Sequence, residues 1–128
     1  VENEKAIETR ILKYLNSGTI PNVFAFKIQT TGIFDPKTRR FRTIKNPFLW
    51  KGTSDVFCVC SGHLIAFEIK RPKPNKTYPN KDQKEFLKQI EKAGGHGFVV
   101  RCVEEVKTIM EELCLDLNDD KKTPVKKC

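Results

Sequence analysis

The sequence predicts one α/β domain, a mixed central sheet flanked by helices, and three observations carry that prediction. Apolar residues recur at helical spacing near the N-terminus, after residue 80 and after residue 103. Between the first two of these stretches lie strand-like runs, two of them separated by a two-residue turn. The middle helix leads straight into a short apolar run, the arrangement of a right-handed crossover between parallel strands. At 128 residues and 14.8 kDa, with 38% hydrophobic residues, the chain can bury one core but not two.

Each element has its own local signal. Ile7, Ile11, Tyr14 and Leu15 share a face of a helix over residues 3–15, and Asn16-Ser17-Gly18 stops it. Val23 to Thr31 alternates and is rich in aromatic and β-branched residues, as a strand would be. Gly32 to Lys51 mixes turn signals such as Asp35-Pro36 with bases and reads as a basic loop or ribbon. Ser54 to Cys60 and His63 to Lys70 form a hairpin about Ser61-Gly62. After Pro72, Pro74 and Pro79, Asn80 can cap a helix on which Phe86, Leu87, Ile90 and Ala93 share a face, ending at Gly94-Gly95. Gly97 to Cys102 reads as a short buried strand, and Val106, Ile109, Met110 and Leu113 mark a last helix. The order is α-β-β-β-α-β-α. Residues 1–115 are thus expected to form the domain, and the polar, lysine-rich stretch 116–128 a disordered tail.

The charge points to a polyanionic partner. Lys and Arg number 24 against 16 Asp and Glu, for a net charge of +8 and a pI of about 9.3. Residues 1–64 carry ten bases and five acids and residues 65–94 eight and four, whereas residues 95–128 carry six and seven. Two runs concentrate the excess, Lys37, Arg39, Arg40, Arg42, Lys45 and Lys51 without an intervening acid, and Lys70, Arg71, Lys73 and Lys76. Either run alone is as readily a solvated face; together in one small domain they favour phosphate contact. No apolar run reaches transmembrane length, and Glu2 to Arg10 is charged where a signal peptide would be apolar. Five cysteines without a CxxC pair suit a reducing, intracellular compartment.

The hairpin supplies the candidate chemistry. With Ser61 and Gly62 as the turn, paired residue numbers sum to 123 and Asp55 lies opposite Glu68. Opposed residues share a sheet face with Cβ atoms roughly 4.5 to 5.5 Å apart, so both carboxylates can reach one divalent cation. Lys70 points the same way. Its simplest alternative role is a salt bridge to Glu68, with Asp55 exposed at a strand start. Both faces of the hairpin are otherwise apolar, so two carboxylates at its end need compensation by a metal or a lysine. Mg²⁺ held by Asp55 and Glu68 would polarise a phosphodiester while Lys70 orients the attacking water or stabilises developing charge. Gln83 falls on the inward face of its helix, although Asn80-Lys81-Asp82-Gln83 also reads as a capping box. Glu4 can point inward from its helix, or simply favour the helix N-terminus.

Gly52-Thr53-Ser54-Asp55, then Phe67-Glu68-Ile69-Lys70, then Gln83 and a Gly94-Gly95 ahead of an apolar strand resemble the virus-type replication-repair nuclease (VRR-NUC) family of PD-(D/E)xK nucleases. The likeness spans roughly residues 4–113 and implies the restriction-endonuclease-like αβββαβ core. It implies that Asp55 and Glu68 bind Mg²⁺ or Mn²⁺ together with the carbonyl of Ile69, that Lys70 is the catalytic lysine, and that Gln83 and Glu4 support the site. Glu8, one helical turn on, competes with Glu4 for that role. The resemblance further implies cleavage of branched, Holliday-junction-like DNA by a homodimer, in a bacterial or phage-infected host cell. Arg71, Lys73 and Lys76 join the first basic run as expected DNA contacts.

Other classes make different demands. A non-catalytic nucleic-acid-binding module would use Lys37 to Lys51 with Phe41, Phe48 and Trp50 to stack bases, but leaves Asp55, Glu68 and Lys70 on one face unexplained. Zinc held by Cys58, Cys60 and His63 lacks an evident fourth ligand. Flap nucleases and nickases share the same site. His63 and His96 flank turns and read as surface histidines.

Overall fold

In the computed structural model, residues 3–28, 33–42, 50 and 52–120 are described. The elements are α1 (Glu4–Leu15), β1 (Val23–Lys27), β2 (Ile33–Asp35), β3 (Arg40–Arg42), β4 (Val56–Cys60), β5 (His63–Ile69), α2 (Lys81–Lys92), β6 (His96–Val100) and α3 (Val103–Asp120). The main sheet has the strand order β1-β4-β5-β6, and β2 pairs with β3 in a separate ribbon within the basic segment. β1, β4 and β5 are antiparallel neighbours, whereas β6 runs parallel to β5, with α2 as the crossover. The sheet is therefore mixed, as the order of periodicities predicts.

The β4–β5 register is the expected one, from Cys60 opposite His63 to Val56 opposite Phe67. Ser61 and Gly62 both adopt positive φ, at 51° and 86°, as a tight turn matched to the twist of two antiparallel strands requires. This register sorts side chains by face. Val56, Cys58, Cys60, Ile65, Phe67 and Ile69 pack with α1 and α3 through Ile7, Ile11, Leu15, Val106, Met110 and Cys114. Phe57 and Ala66 face the other way, against Leu87 of α2, with Leu64, Phe86, Ile90 and Val99 around them.

Side chains cap the backbone at one residue on each edge of the sheet. Asn16, which ends α1, donates from Nδ2 to the carbonyl of Ala25 at 3.0 Å and accepts the Ala25 N–H at 2.9 Å. Ala25 is the middle residue of β1. On the opposite edge, Glu91 of α2 accepts the N–H of Gly97 in β6 at 2.9 Å.

Several boundaries differ from the sequence expectation, among them the start of β4 at Val56 rather than Ser54 and the end of β5 at Ile69 rather than Lys70. β1 stops at Lys27 rather than continuing to Thr31, and residues 29–31 lie outside those described. β6 is shifted to His96–Val100 and is half-buried except at Val100, because it is an edge strand with no neighbour beyond it. α3 runs to Asp120, so five residues of the expected polar tail are helical; once its first turns are packed, adding a polar turn costs little. Residues 121–128 lie outside the described residues.

Candidate active site

Asp55 immediately precedes β4, and Glu68 lies one position from the end of β5 on the α2 face. The backbone N–H of Ile69 donates to Oδ2 of Asp55 at 2.9 Å, which fixes the aspartate across the hairpin end. Glu68 is 1% exposed. Its Oε1 accepts a 2.6 Å bond from Nε2 of Gln83 and lies 3.5 Å from the Lys70 ammonium. Its Oε2 is buried, and among the described residues no N–H or O–H donor reaches it. Asp55, Glu68, Lys70 and Gln83 are thus brought together, as the sequence predicts.

Gln83 performs both roles that the sequence offers it. Its Oε1 accepts from the N–H of Asn80 and its own N–H donates to Oδ1 of Asn80, each at 2.9 Å, completing a capping box. The other end of the amide remains free to donate to Glu68. The cap and the site are built from one side chain, because a carboxamide presents an acceptor and a donor on opposite arms. Gly52 holds α2 at the required distance. It has φ +83°, and a Cβ there would lie 2.5 Å from the backbone of Asp82 and 2.7 Å from the nitrogen of Gln83.

Burial sets the electrostatics. Glu68 is pushed up to about 8, first by burial and then by the nearby Asp55 carboxylate, against the lowering influence of Lys70. Asp55 is also raised, chiefly by burial and further by the charge of Glu8, although the Ile69 N–H, a hydrogen bond shared with the Glu68 carboxyl and the charge of Lys70 oppose the shift.

The two α1 glutamates have different partners. Glu4 accepts a 3.0 Å bond from the Thr77 hydroxyl and ties α1 to the segment after Lys70. Glu8 pairs with Lys27 at 3.0 Å, and it is the α1 carboxylate whose charge bears on Asp55. Support for the site from Glu4 is therefore indirect, through Thr77, because its position at the first turn carries it past the hairpin end to the following chain.

Of the expected DNA contacts, Lys37, Arg39 and Arg40 are exposed about the β2–β3 turn, and Arg71, Lys73 and Lys76 are exposed after β5. Arg42 belongs to β3, while Lys45 and Lys51 lie outside the described residues, as does Phe48. Trp50 is 53% exposed and so is no core residue. Cys58 and Cys60 are sealed in the core, with the Cys58 thiol pushed up to about 12 by burial, so they pack as apolar side chains. His63 and His96 face one another with ring centroids 5.9 Å apart at the turn end of the hairpin, opposite the carboxylates. Sequence reasoning missed Thr77 and Arg101. Arg101 donates from Nη1 to the carbonyls of Arg71 and Thr77, contacts between segments that no local pattern signals.

A solved structure described as a "VRR_NUC domain protein" matches this architecture with a TM-score of 0.60 at 15% sequence identity, covering 88% of each chain. The fold is VRR-NUC-like. Like that neighbour's, it is a mixed sheet flanked by helices, a likeness of fold that does not depend on the motif residues. No protein-family model matches the chain, and neither does any curated protein.

The residues suited to a divalent cation are Asp55 and Glu68, with the Ile69 carbonyl between Glu68 and Lys70. Among the described residues no group of three or more His, Cys, Asp and Glu side chains gathers at one point. Two carboxylates plus backbone and water suit Mg²⁺, which keeps several waters and seldom occupies an all-protein cage. The buried Oε2 of Glu68, reached by no N–H or O–H donor among the described residues and set beside a second carboxylate, fits such an ion better than it fits a purely structural role.

Proposed function

We propose that this chain is a divalent-metal-dependent DNA endonuclease of the VRR-NUC type, hydrolysing phosphodiester bonds in branched DNA. The observation that carries the reading is Glu68, a buried carboxylate with one oxygen held by Gln83 and Lys70 and the other reached by no N–H or O–H donor among the described residues, set against a second carboxylate, Asp55. A stable fold does not need such a pair, since apolar residues of similar size would cost less. The printed name of the structural neighbour and the net charge of +8 support the same reading.

Asp55, Glu68 and the Ile69 carbonyl would hold Mg²⁺ or Mn²⁺. When bound, the cation supplies Lewis-acid polarisation of the scissile phosphate. Gln83 keeps Glu68 oriented by donating to Oε1, and the Ile69 N–H does the same for Asp55. Lys70, mostly buried and next to Glu68, presents a positive charge to the reacting phosphate and orients the attacking water. The exposed bases of the β2–β3 ribbon and of residues 71–76 anchor flanking phosphates. A homodimer presents two such sites to opposite strands of a junction.

The test is cleavage of labelled junction, flap and duplex DNA with and without Mg²⁺ or Mn²⁺. Asp55→Asn, Glu68→Gln and Lys70→Met should each lose roughly a hundredfold or more in rate while retaining the fold. Undiminished metal-dependent cutting by Glu68→Gln would place the chemistry elsewhere. Sedimentation of the active protein at about twice the chain mass checks the dimer.

A further inference from the structure

Residues 71–79 join Lys70, which directly follows β5, to Asn80, the cap of α2, so both ends of this strap adjoin the candidate site. The strap is laced in place. The N–H of Arg71 donates to Oγ1 of Thr77 at 2.8 Å, and that hydroxyl donates to Glu4 at 3.0 Å. Arg101, the residue after β6, donates to the carbonyls of Arg71 at 2.7 Å and Thr77 at 2.6 Å. Four polar contacts on so short an exposed stretch remove conformational freedom that it would otherwise have to lose on binding.

On this fixed strap Tyr78 is 67% exposed. The Arg101 guanidinium lies over its ring at 5.1 Å from the centroid, and the Lys76 ammonium at 5.6 Å. Core packing does not account for a large aromatic ring left in water on an ordered segment. The position is informative too, because Lys70 N–H bonds the carbonyl of Val100 and Arg101 follows directly. Tyr78 therefore stands outside the carboxyl ends of the parallel strands β5 and β6, where crossover sheets bind their ligands.

We propose that Tyr78 is a base-stacking residue, its ring receiving an exposed nucleobase of the strand that runs into the Asp55–Glu68 site. The proposal rests on the nuclease reading and deepens it by naming the substrate feature selected. A base within continuous duplex has both faces covered by its neighbours, whereas a branch point leaves a face open. Arg101 orients the ring from the protein side, and the exposed Lys76 gives up its place over the ring to the incoming base and pairs with the adjoining phosphate.

The experiment uses the full chain in EDTA, so that no cutting intervenes, with a four-way junction carrying 2-aminopurine at the branch and a matched continuous duplex. Wild-type protein and Tyr78→Phe should quench the branch probe and bind the junction equally well. Tyr78→Ala should bind the junction about tenfold more weakly, and Tyr78→Leu likewise, since it covers Arg101 without offering a π face. Duplex affinity and the salt dependence of both complexes should stay unchanged, because no phosphate contact is lost. An equal loss on junction and duplex, no loss on either, or no quenching by the wild-type protein would overturn the proposal. Failure of the nuclease reading is seen separately, as a junction that is bound and quenched but left uncut when Mg²⁺ or Mn²⁺ is supplied.

Discussion

The two faces of the sheet, built from alternate residues of the same strands, carry different burdens. Ile65, Phe67 and Ile69 of β5 enter a large apolar cluster with α1 and α3, whereas Leu64, Ala66 and Glu68 look towards α2. Among the described residues the apolar cluster on the α2 face has Phe57, Ala66 and Leu87 as its buried members, and it ends where the equally buried Glu68 begins. α2 buries Leu87 alone, with Phe86 and Ile90 partly buried beside it, and is joined to the sheet end by the close approach of Gly52 and by the bond from Gln83 to Glu68. One face supplies stability, and the other trades packing for a polar site that the first face holds rigid.

Substituting neighbours on opposite faces should separate these burdens most clearly. Phe67→Ala empties a fully buried position and should cost about 3–5 kcal/mol of folding stability, read by urea unfolding. Glu68→Gln, the next residue, should leave metal-free stability at about pH 8 unchanged or higher, since it removes a buried acid that ionises with difficulty. Similar large losses from both would mean that Glu68 is structural.

A smaller effect is expected at the joint between the faces. Gly52→Ala forces a side chain into a positive-φ position and against the backbone of Asp82 and Gln83, so α2 must shift away from the hairpin end. Stability should fall by about 1–3 kcal/mol, and cleavage should fall by more than that alone explains, because Gln83 moves with the helix. Full activity of the purified folded variant would break the link between this glycine and the site.

The mildest test is titration. Glu68 holds its proton in the fold up to about 8, above its ordinary 4.5, and Asp55 is raised as well. Stability from these groups is fully present below their unfolded values and is lost as pH rises through the folded ones. The melting temperature of the metal-free protein should therefore decline between about pH 5 and pH 9, more than in Glu68→Gln. Mg²⁺ should raise it more at the upper end of that range than at the lower, since the cation competes with the proton. A flat profile shared by wild type and variant would remove the electrostatic distinction between the faces.

Much of this site was legible because its geometry is local. A two-residue turn fixes the hairpin register, the period of two fixes the face, and Asp55 and Glu68 then have to meet. Gln83 was legible as two alternatives that the structure unites, since spacing alone does not show that each arm of an amide serves a separate partner. The choice between Glu4 and Glu8 depended on Thr77, far away in sequence, and on Lys27. Arg101 and Tyr78 meet only after the crossover has closed, so no periodicity announces their contact. β6 reads as a buried strand in the sequence because an apolar run looks alike at the edge and in the middle of a sheet.

Asn16 and Glu91 reach beyond the single molecule. Open strand edges recruit other chains, and a mixed sheet of four strands has two of them. Here the middle of β1 already has both backbone groups satisfied by a carboxamide, and β6 has an N–H taken by a carboxylate. A foreign strand would have to displace these bonds before gaining any of its own, which discourages sheet extension and fibrillar stacking. The same two side chains that finish these strands therefore also act as guards against a neighbouring sheet.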